Sequence, residues 1–261
     1  MAGIVTFLSD FGLSDGFVGI CHGVIVGACP EAQVIHLGHG IRPQAVSDGA
    51  QALAGAVPYL PVGVHLAVVD PGVGTARAPI AVRTDRALLV GPDNGLLAPA
   101  VAALGGARAV HVIENAALAR QPISRTFHGR DIFAPAAAHL AGGAAIASLG
   151  APRPALTPLA LPDAVIAGDA VRGVVVYVDR FGNLLTNIDR QAILAFRQLP
   201  LSVRVAEMIT VPLRDTYGDV APGELVALWS SWDTIEIAVR DGSAADRLGV
   251  DRGVAVTVTG G

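Results

Sequence analysis

The 261-residue sequence contains no lysine; all 18 of its Lys/Arg positions are arginine. Schiff-base chemistry and a phosphate loop built on lysine are thereby excluded. Cysteine is almost as scarce. The two that occur, Cys21 and Cys29, lie eight apart in a segment that reads as one helix, too far to bridge without unwinding it. They are expected to be free thiols of a reducing compartment, which points to the cytoplasm. Charged residues make up only 15%, and the net charge of −4 leaves no basic footprint for nucleic acid or a membrane surface. No apolar run is long enough for a bilayer, since the alanine-rich stretch 134–149 is broken by His139 and a glycine pair. The chain enters a strand-like segment at residue 4 with no sign of a secretory leader.

What is present is a two-part pattern. Residues 4–8, 34–37, 64–69 and 110–113 read as strands, 80–82 and 87–90 as a hairpin, and 17–28, 46–57, 96–104 and 132–140 as helices. Alternating strands and helices predict an α/β domain over 1–151, with a mostly parallel sheet covered by helices on both faces. The stretch 152–168 carries Pro152, Pro154, Pro158 and Pro162 and reads as a stiff linker. From 169 to 261 the segments are short and β-prone, at 174–178, 184–187, 202–205, 209–211, 225–228, 234–239 and 254–258. They predict an all-β, barrel-like domain.

Three strands of the first domain end in an aspartate followed by a turn: Asp10, Asp70 and Asp93. Ligands of open α/β sheets bind beyond the carboxyl ends of the strands, so these carboxylates are candidates for substrate contact, or plain turn and helix-cap residues. The loop Asp70-Pro71-Gly72-Val73-Gly74-Thr75-Ala76-Arg77 can fold tightly enough to return Arg77 to Asp70, as a site or as a structural ion pair. His128 stands just before a predicted helix, where an imidazole can act as a base near neutrality. Gly129 beside it suggests that something approaches the backbone closely. His36 and His39 are a weak metal pair with no third ligand nearby, and His22, His65, His111 and His139 read as satisfied core or surface residues. In the second domain, Asp179, Phe181, Asn183 and Asn187 cluster at a turn. Tyr217, Ser230, Ser231 and Trp232 occupy similar loop positions, and in a chain with 5% aromatics a loop aromatic is a stacking platform.

These segments together carry a resemblance. Ser9-Asp10-Phe11-Gly12-Leu13-Ser14-Asp15, Val69-Asp70-Pro71-Gly72-Val73-Gly74-Thr75 with Arg77, and Gly91-Pro92-Asp93-Asn94-Gly95 resemble the S-adenosylmethionine (SAM) hydroxide adenosyltransferase family. So do Phe127-His128-Gly129-Arg130-Asp131-Ile132-Phe133-Ala134, Asp179-Arg180-Phe181-Gly182-Asn183 and Ile235-Glu236-Ile237-Ala238-Val239. The motifs run in order over nearly the whole chain. The family comprises SAM hydrolases related to fluorinating and chlorinating enzymes.

The resemblance implies hydrolysis of SAM to adenosine and L-methionine by attack of activated water at C5′, with Asp70, Arg77 and His128 handling that water. It implies Asp10 on the ribose hydroxyls, and Asp15, Asp179, Ser230 and Ser231 towards the methionine end. Phe181, Asn183 and Tyr217 would surround the adenine. It further implies a homotrimer, with each site between one subunit's first domain and its neighbour's second. No metal and no cofactor are expected, SAM being the substrate. A SAM-dependent halogenase on the same scaffold, a non-catalytic SAM or nucleoside sensor, and a metal-dependent hydrolase built on Asp10, Asp70 and Asp93 are the alternatives.

Overall fold

The computed structural model describes residues 3–196 and 201–260, which form two compact units, 1–160 and 161–261. In the first unit the order is β1 (Ile4–Ser9), α1 (Phe17–Ala28), β2 (Gln33–Gly38), α2 (Val46–Ala56), β3 (Val64–Val68), β4 (Pro79–Arg83) and β5 (Leu88–Pro92). It continues with α3 (Ala98–Ala103), β6 (Ala109–Val112), α4 (Ala134–Ala141) and β7 (Pro152–Arg153). The strands make one sheet in the order β2-β1-β3-β5-β4-β6-β7.

That sheet corrects the expectation of a mostly parallel one: it is mixed. Pairs β2-β1, β1-β3 and β3-β5 are parallel, whereas β5-β4, β4-β6 and β6-β7 are antiparallel. The hairpin is the physical reason. Thr84 Oγ1 donates to the Ala87 carbonyl at 3.0 Å and accepts the N–H groups of Arg86 and Ala87, closing a turn too short for a parallel crossover. Helices do cover both faces. Val5, Phe7, Val64, Leu66 and Val68 pack with α1 and α4, while Leu8, Ala67, Val69, Ile80 and Val82 pack with α2 and α3, as alternation along a strand requires. Strand β3, buried on both faces, is apolar throughout except for His65. The proline-rich stretch is laid along this unit: β7 pairs with β6, and Leu156 and Leu159 pack on the face that carries α2 and α3.

The second unit contains β8 (Val165–Ala167), β9 (Ala170–Val178), β10 (Leu184–Asp189), α5 (Arg190–Phe196), β11 (Leu201–Val205) and β12 (Ile209–Pro212). After these come β13 (Leu225–Trp229), β14 (Thr234–Val239), α6 (Ala244–Leu248) and β15 (Ala255–Gly260). Its sheet, in the order β12-β11-β15-β9-β10-β14-β13 with β8 beside β9, is antiparallel throughout. A bridge between Leu213 and Ala227 brings the two ends together, so the sheet is nearly a closed barrel. Helices α5 and α6 are additions to the all-β expectation. Helix α6 is a single short helix made by its ends: Ser243 Oγ accepts the Asp246 N–H at 3.1 Å, and Gly249 stops it at φ +63°.

His65 gives this fold a pH dependence. It is buried in β3, 2.9 Å from Thr6 Oγ1, and burial lowers its pKa to about 4. The unfolded chain therefore takes up a proton near pH 6.5 that the folded one refuses. Stability is complete above about pH 6.5 and falls as pH drops towards 4, by roughly 2 kcal/mol between pH 7 and pH 5 for this one group. Urea unfolding at the two pH values should show that fall, and a smaller one in His65→Asn, which keeps a partner for Thr6 but does not titrate.

Candidate active site

The carboxyl ends of β1, β3 and β5 lie side by side and deliver Asp10, Asp70 and Asp93 to one edge of the sheet. The three differ in what holds them. Asp93 is buried and committed, taking the Thr157 N–H at 2.6 Å and the Arg153 guanidinium at 2.8 Å, so it anchors the stretch after β7. Asp10 Oδ2 accepts the Gln44 N–H at 2.7 Å, and its other oxygen has no hydrogen bond among the described residues. Asp15 is exposed in the loop before α1.

Asp70 belongs to the best-defined cluster. The loop after β3 is folded by Val73 N–H to the Asp70 carbonyl (3.1 Å) and by Thr75, whose N–H and hydroxyl both donate to the Gly72 carbonyl. Arg77 is thereby returned to its start. Its Nε donates to Asp70 Oδ1 at 2.8 Å and its Nη2 to Asp70 Oδ2, a two-pronged pair with only 9% of the arginine side chain and 6% of the aspartate exposed. Nη2 also lies 2.9 Å from His128 Nδ1. The guanidinium carbon stands 5.1 Å from the centre of the Phe133 ring, and Nη1 is buried with no hydrogen-bond partner among the described residues.

Two glycines make this closure possible. Gly74 has φ +76°, and a Cβ there would lie 2.3 Å from the Arg125 carbonyl oxygen, so its bare backbone lets the loop rest on the segment leading to His128. Gly129 is the second: its Cβ would meet the Phe11 ring at 3.0 Å and Phe127 at 3.3 Å. What approaches the backbone at Gly129 is thus an aromatic ring from the turn after β1. His128 itself sits at the head of a π-helical turn, Gly129–Phe133, that precedes the regular α4.

The chemistry of His128 follows from its neighbours. A guanidinium nitrogen can only donate, so Nδ1 carries the lone pair and the proton of the neutral ring is assigned to Nε2. Burial, then the nearby Arg77, lower the pKa below the ordinary 6.5, with Asp70 and Asp131 pulling the other way. The ring is neutral at physiological pH. The array therefore combines a desolvated cation, a carboxylate that fixes its plane, and a free base whose lone pair faces the cation.

The sequence-derived residues of the second unit meet separately. Asp179, Phe181, Asn183, Tyr217, Ser230 and Ser231 all line one cleft of about 400 Å³. Asp179 organises it. Its Oδ1 takes the N–H groups of Phe181 (2.8 Å) and Asn183 (2.9 Å), and its Oδ2 takes Asn183 Nδ2 at 3.0 Å. Ser230 Oγ accepts the Trp232 N–H at 3.1 Å, and the Trp232 ring packs on Tyr177 at 5.3 Å. Phe181 is 75% exposed at the rim. Sequence reasoning missed Glu236, a buried carboxylate on β14 that accepts the Tyr217 hydroxyl at 2.6 Å. Burial raises its pKa and the Tyr217 hydrogen bond opposes this, while Asp179 adds to the rise. The signal was available: an acid standing alone among the apolar residues of 235–239. Among the described residues no three His, Cys, Asp or Glu side chains are grouped to hold a metal ion, and no helix is long and apolar enough to cross a membrane.

Residues 5–150 match the SAM hydroxide adenosyltransferase N-terminal domain, and residues 173–257 match the C-terminal domain of the same family. A protein of Salinispora tropica named (R)-S-adenosyl-L-methionine hydrolase is 47% identical over 259 residues, 98% of each chain. The crystal structure of an uncharacterized conserved protein from Thermotoga maritima matches with a TM-score of 0.91 at 35% identity, over 98% of this chain and 99% of that one. A protein of Actinoplanes named fluorinase is more distant, at 27% identity over 98% of this chain and 97% of its own.

The role of Gly74 can be isolated with alanine. Gly74→Ala and Gly105→Ala both force an alanine into a left-handed backbone, costing about 1 kcal/mol each, but only Gly74 also has a carbonyl in the way. Urea unfolding should show Gly74→Ala clearly the less stable of the two.

Proposed function

The chain belongs to the SAM hydroxide adenosyltransferase family, and on that footing we propose that it hydrolyses S-adenosyl-L-methionine to adenosine and L-methionine. The observation that carries this reading is the buried array of Asp70, Arg77 and His128. In the substrate, C5′ bears a sulfonium. Water oxygen attacks C5′, the C5′–S bond breaks with its electron pair going to sulfur, and methionine leaves as a neutral thioether that needs no acid. The one group in short supply is a nucleophile, because hydroxide is scarce at neutral pH.

Arg77 and His128 meet that need together. A water inserted between them accepts from the guanidinium and donates to His128 Nδ1, which takes its proton as the new C–O bond forms. Asp70, gripping the guanidinium with both oxygens, fixes the plane in which the water is held. Phe133 keeps the array dry, and a transition state in which an anion and a cation neutralise one another is favoured where water is excluded. Asp10 holds the ribose hydroxyls through the oxygen that Gln44 leaves open, and Asp15, Asp179, Ser230 and Ser231 serve the methionine end. The adenine lies among Phe181, Asn183 and Tyr217. The reaction uses no metal and no cofactor.

Gly129 argues against halogenation. The resemblance places a serine there in the halogenating relatives, and this chain has a phenylalanine ring 3.0 Å from where its Cβ would stand. The enzyme is proposed to be cytoplasmic, in keeping with the two free thiols, and to form a homotrimer. Helix α1 has no Asp, Glu, Lys or Arg and leaves Phe17 and Ile20, three residues apart on one side, more than a third exposed, an apolar patch suited to a neighbouring subunit. Light scattering reads the oligomer directly.

Chelator-treated protein incubated with SAM in ¹⁸O-water should release methionine and adenosine labelled at the 5′ oxygen. Intact SAM recovered bound to the protein would replace this reading with that of a sensor. His128→Ala should cut kcat strongly and leave SAM affinity within roughly tenfold, about 1.4 kcal/mol. Because the lowered pKa of His128 keeps it unprotonated, kcat/KM should be flat near neutrality and fall only as pH drops below the ordinary histidine value of about 6.5. Asp10→Ala should weaken SAM binding by about 1–3 kcal/mol, seen by calorimetry with the His128→Ala protein as host.

A further inference from the structure

The histidines that the reaction leaves unused are not scattered. His22 on α1, His36 in β2 and His39 just beyond it form a chain in series. His22 Nδ1 lies 3.0 Å from His36 Nε2, His36 Nδ1 lies 2.7 Å from His39 Nε2, and His39 Nδ1 lies 2.8 Å from Ser9 Oγ. His36 spends both ring nitrogens on its neighbours, so the cluster is a hydrogen-bonded relay and not a set of ligands converging on one point. It leads inward from a half-exposed ring to His39, which is 5% exposed and meets Phe7 edge-on at 4.7 Å.

The inner end of this chain holds the turn that carries Asp10. Ser9 is the last residue of β1, and its Oγ, besides meeting His39, accepts the Phe11 N–H at 3.3 Å. The backbone carbonyl of His39 accepts the Gly12 N–H at 2.7 Å. His39 thus touches the residue before Asp10 and the residue two after it, once with its side chain and once with its main chain. The loop that begins at His39 also supplies the Gln44 N–H that binds Asp10 Oδ2. Burial keeps the His39 ring neutral, with a pKa of about 4, so it offers one donor and one acceptor, which suits a place between His36 and Ser9.

We infer that His39 is a positioning residue for Asp10, fixing through Ser9 and Gly12 the angle at which the carboxylate meets the substrate's ribose hydroxyls. A carboxylate on a turn is only as exact as the contacts behind it, and the side-chain contact on Ser9, the residue before it, comes from one buried imidazole. The inference rests on the ribose role proposed for Asp10.

The test is a double-mutant cycle on SAM hydrolysis with Asp10→Ala, His39→Ala and both together. His39→Ala alone should raise KM about tenfold with kcat changed less than about twofold, the pattern of lost ground-state binding. In the Asp10→Ala background it should raise KM less than about twofold, because the group it positions is gone. His39→Asn, whose amide reaches the Ser9 side, should recover most of the loss, and His39→Gln, which reaches towards His36, should not. If His39→Ala fails to fold, Ser9→Ala breaks the same contact from the other end and takes its place in the cycle. Additive effects in the cycle, a fall in kcat at unchanged KM, or equal behaviour of Asn and Gln would overturn the positioning role while leaving SAM hydrolysis intact. A wild-type protein that neither binds nor hydrolyses SAM overturns both.

Discussion

A guanidinium nearly withdrawn from water is the condition on which the site is built. Burying a cation of this kind is costly unless a counter-charge and hydrogen bonds come with it. Asp70 supplies both, seven residues earlier on the same loop and at the end of the central strand β3. The pair leaves a cation whose Nη2 also faces His128, whose Nη1 has no hydrogen-bond partner among the described residues, and whose central carbon lies over the Phe133 ring. In water such a charge is screened. In a site closed by an aromatic ring it acts on whatever anion forms beside it.

The local departures from regular structure are arranged around that pair. Gly74 allows the loop to rest on the Arg125 carbonyl, which brings the guanidinium to His128. The π-turn at Gly129–Phe133 supplies His128 at one end and the ring that covers Arg77 at the other. Gly129 admits Phe11, so the turn carrying Asp10 is packed on the segment carrying His128. Each is a place where a strong local preference is given up, and such places tend to be functional.

Much of this was legible in the sequence because it is local. Aspartates at strand ends, the glycine-bent loop from Asp70 to Arg77 and the turn at Asp179 each announce themselves within ten residues. The hairpin at 80–90 was legible too, and it already implied an antiparallel pair, yet the alternation of strands and helices suggested a mostly parallel sheet. What stayed hidden depends on partners far along the chain. His39 reads as half of a poor metal pair until Ser9, thirty residues away, is beside it. Glu236 stands out in the sequence only as a lone acid in the apolar run 235–239, and its partner Tyr217, nineteen residues away, is not visible there. Helix α6 is too short for its periodicity to speak, and only its capping serine and terminal glycine mark it.

The want of lysine acquires a meaning at Arg77. A guanidinium keeps its proton throughout the physiological range, whereas a desolvated ammonium readily gives one up. Beside a neutral imidazole, an ammonium that lost its proton would be a second base and no longer a cation. With arginine the two tasks of the proposed reaction stay apart: one group would hold the charge and the other take the proton. The planar fork adds what a point charge lacks, since Asp70 pins one edge of it, Nε and Nη2, and the second N–H of Nη2 is thereby directed at His128 Nδ1. The same contact sets the order of events in the proposed reaction. His128 has one lone pair, and it faces Arg77 at 2.9 Å, so water must part the two before it can be deprotonated. In the proposed reaction the nucleophile is then made only where the cation already stands.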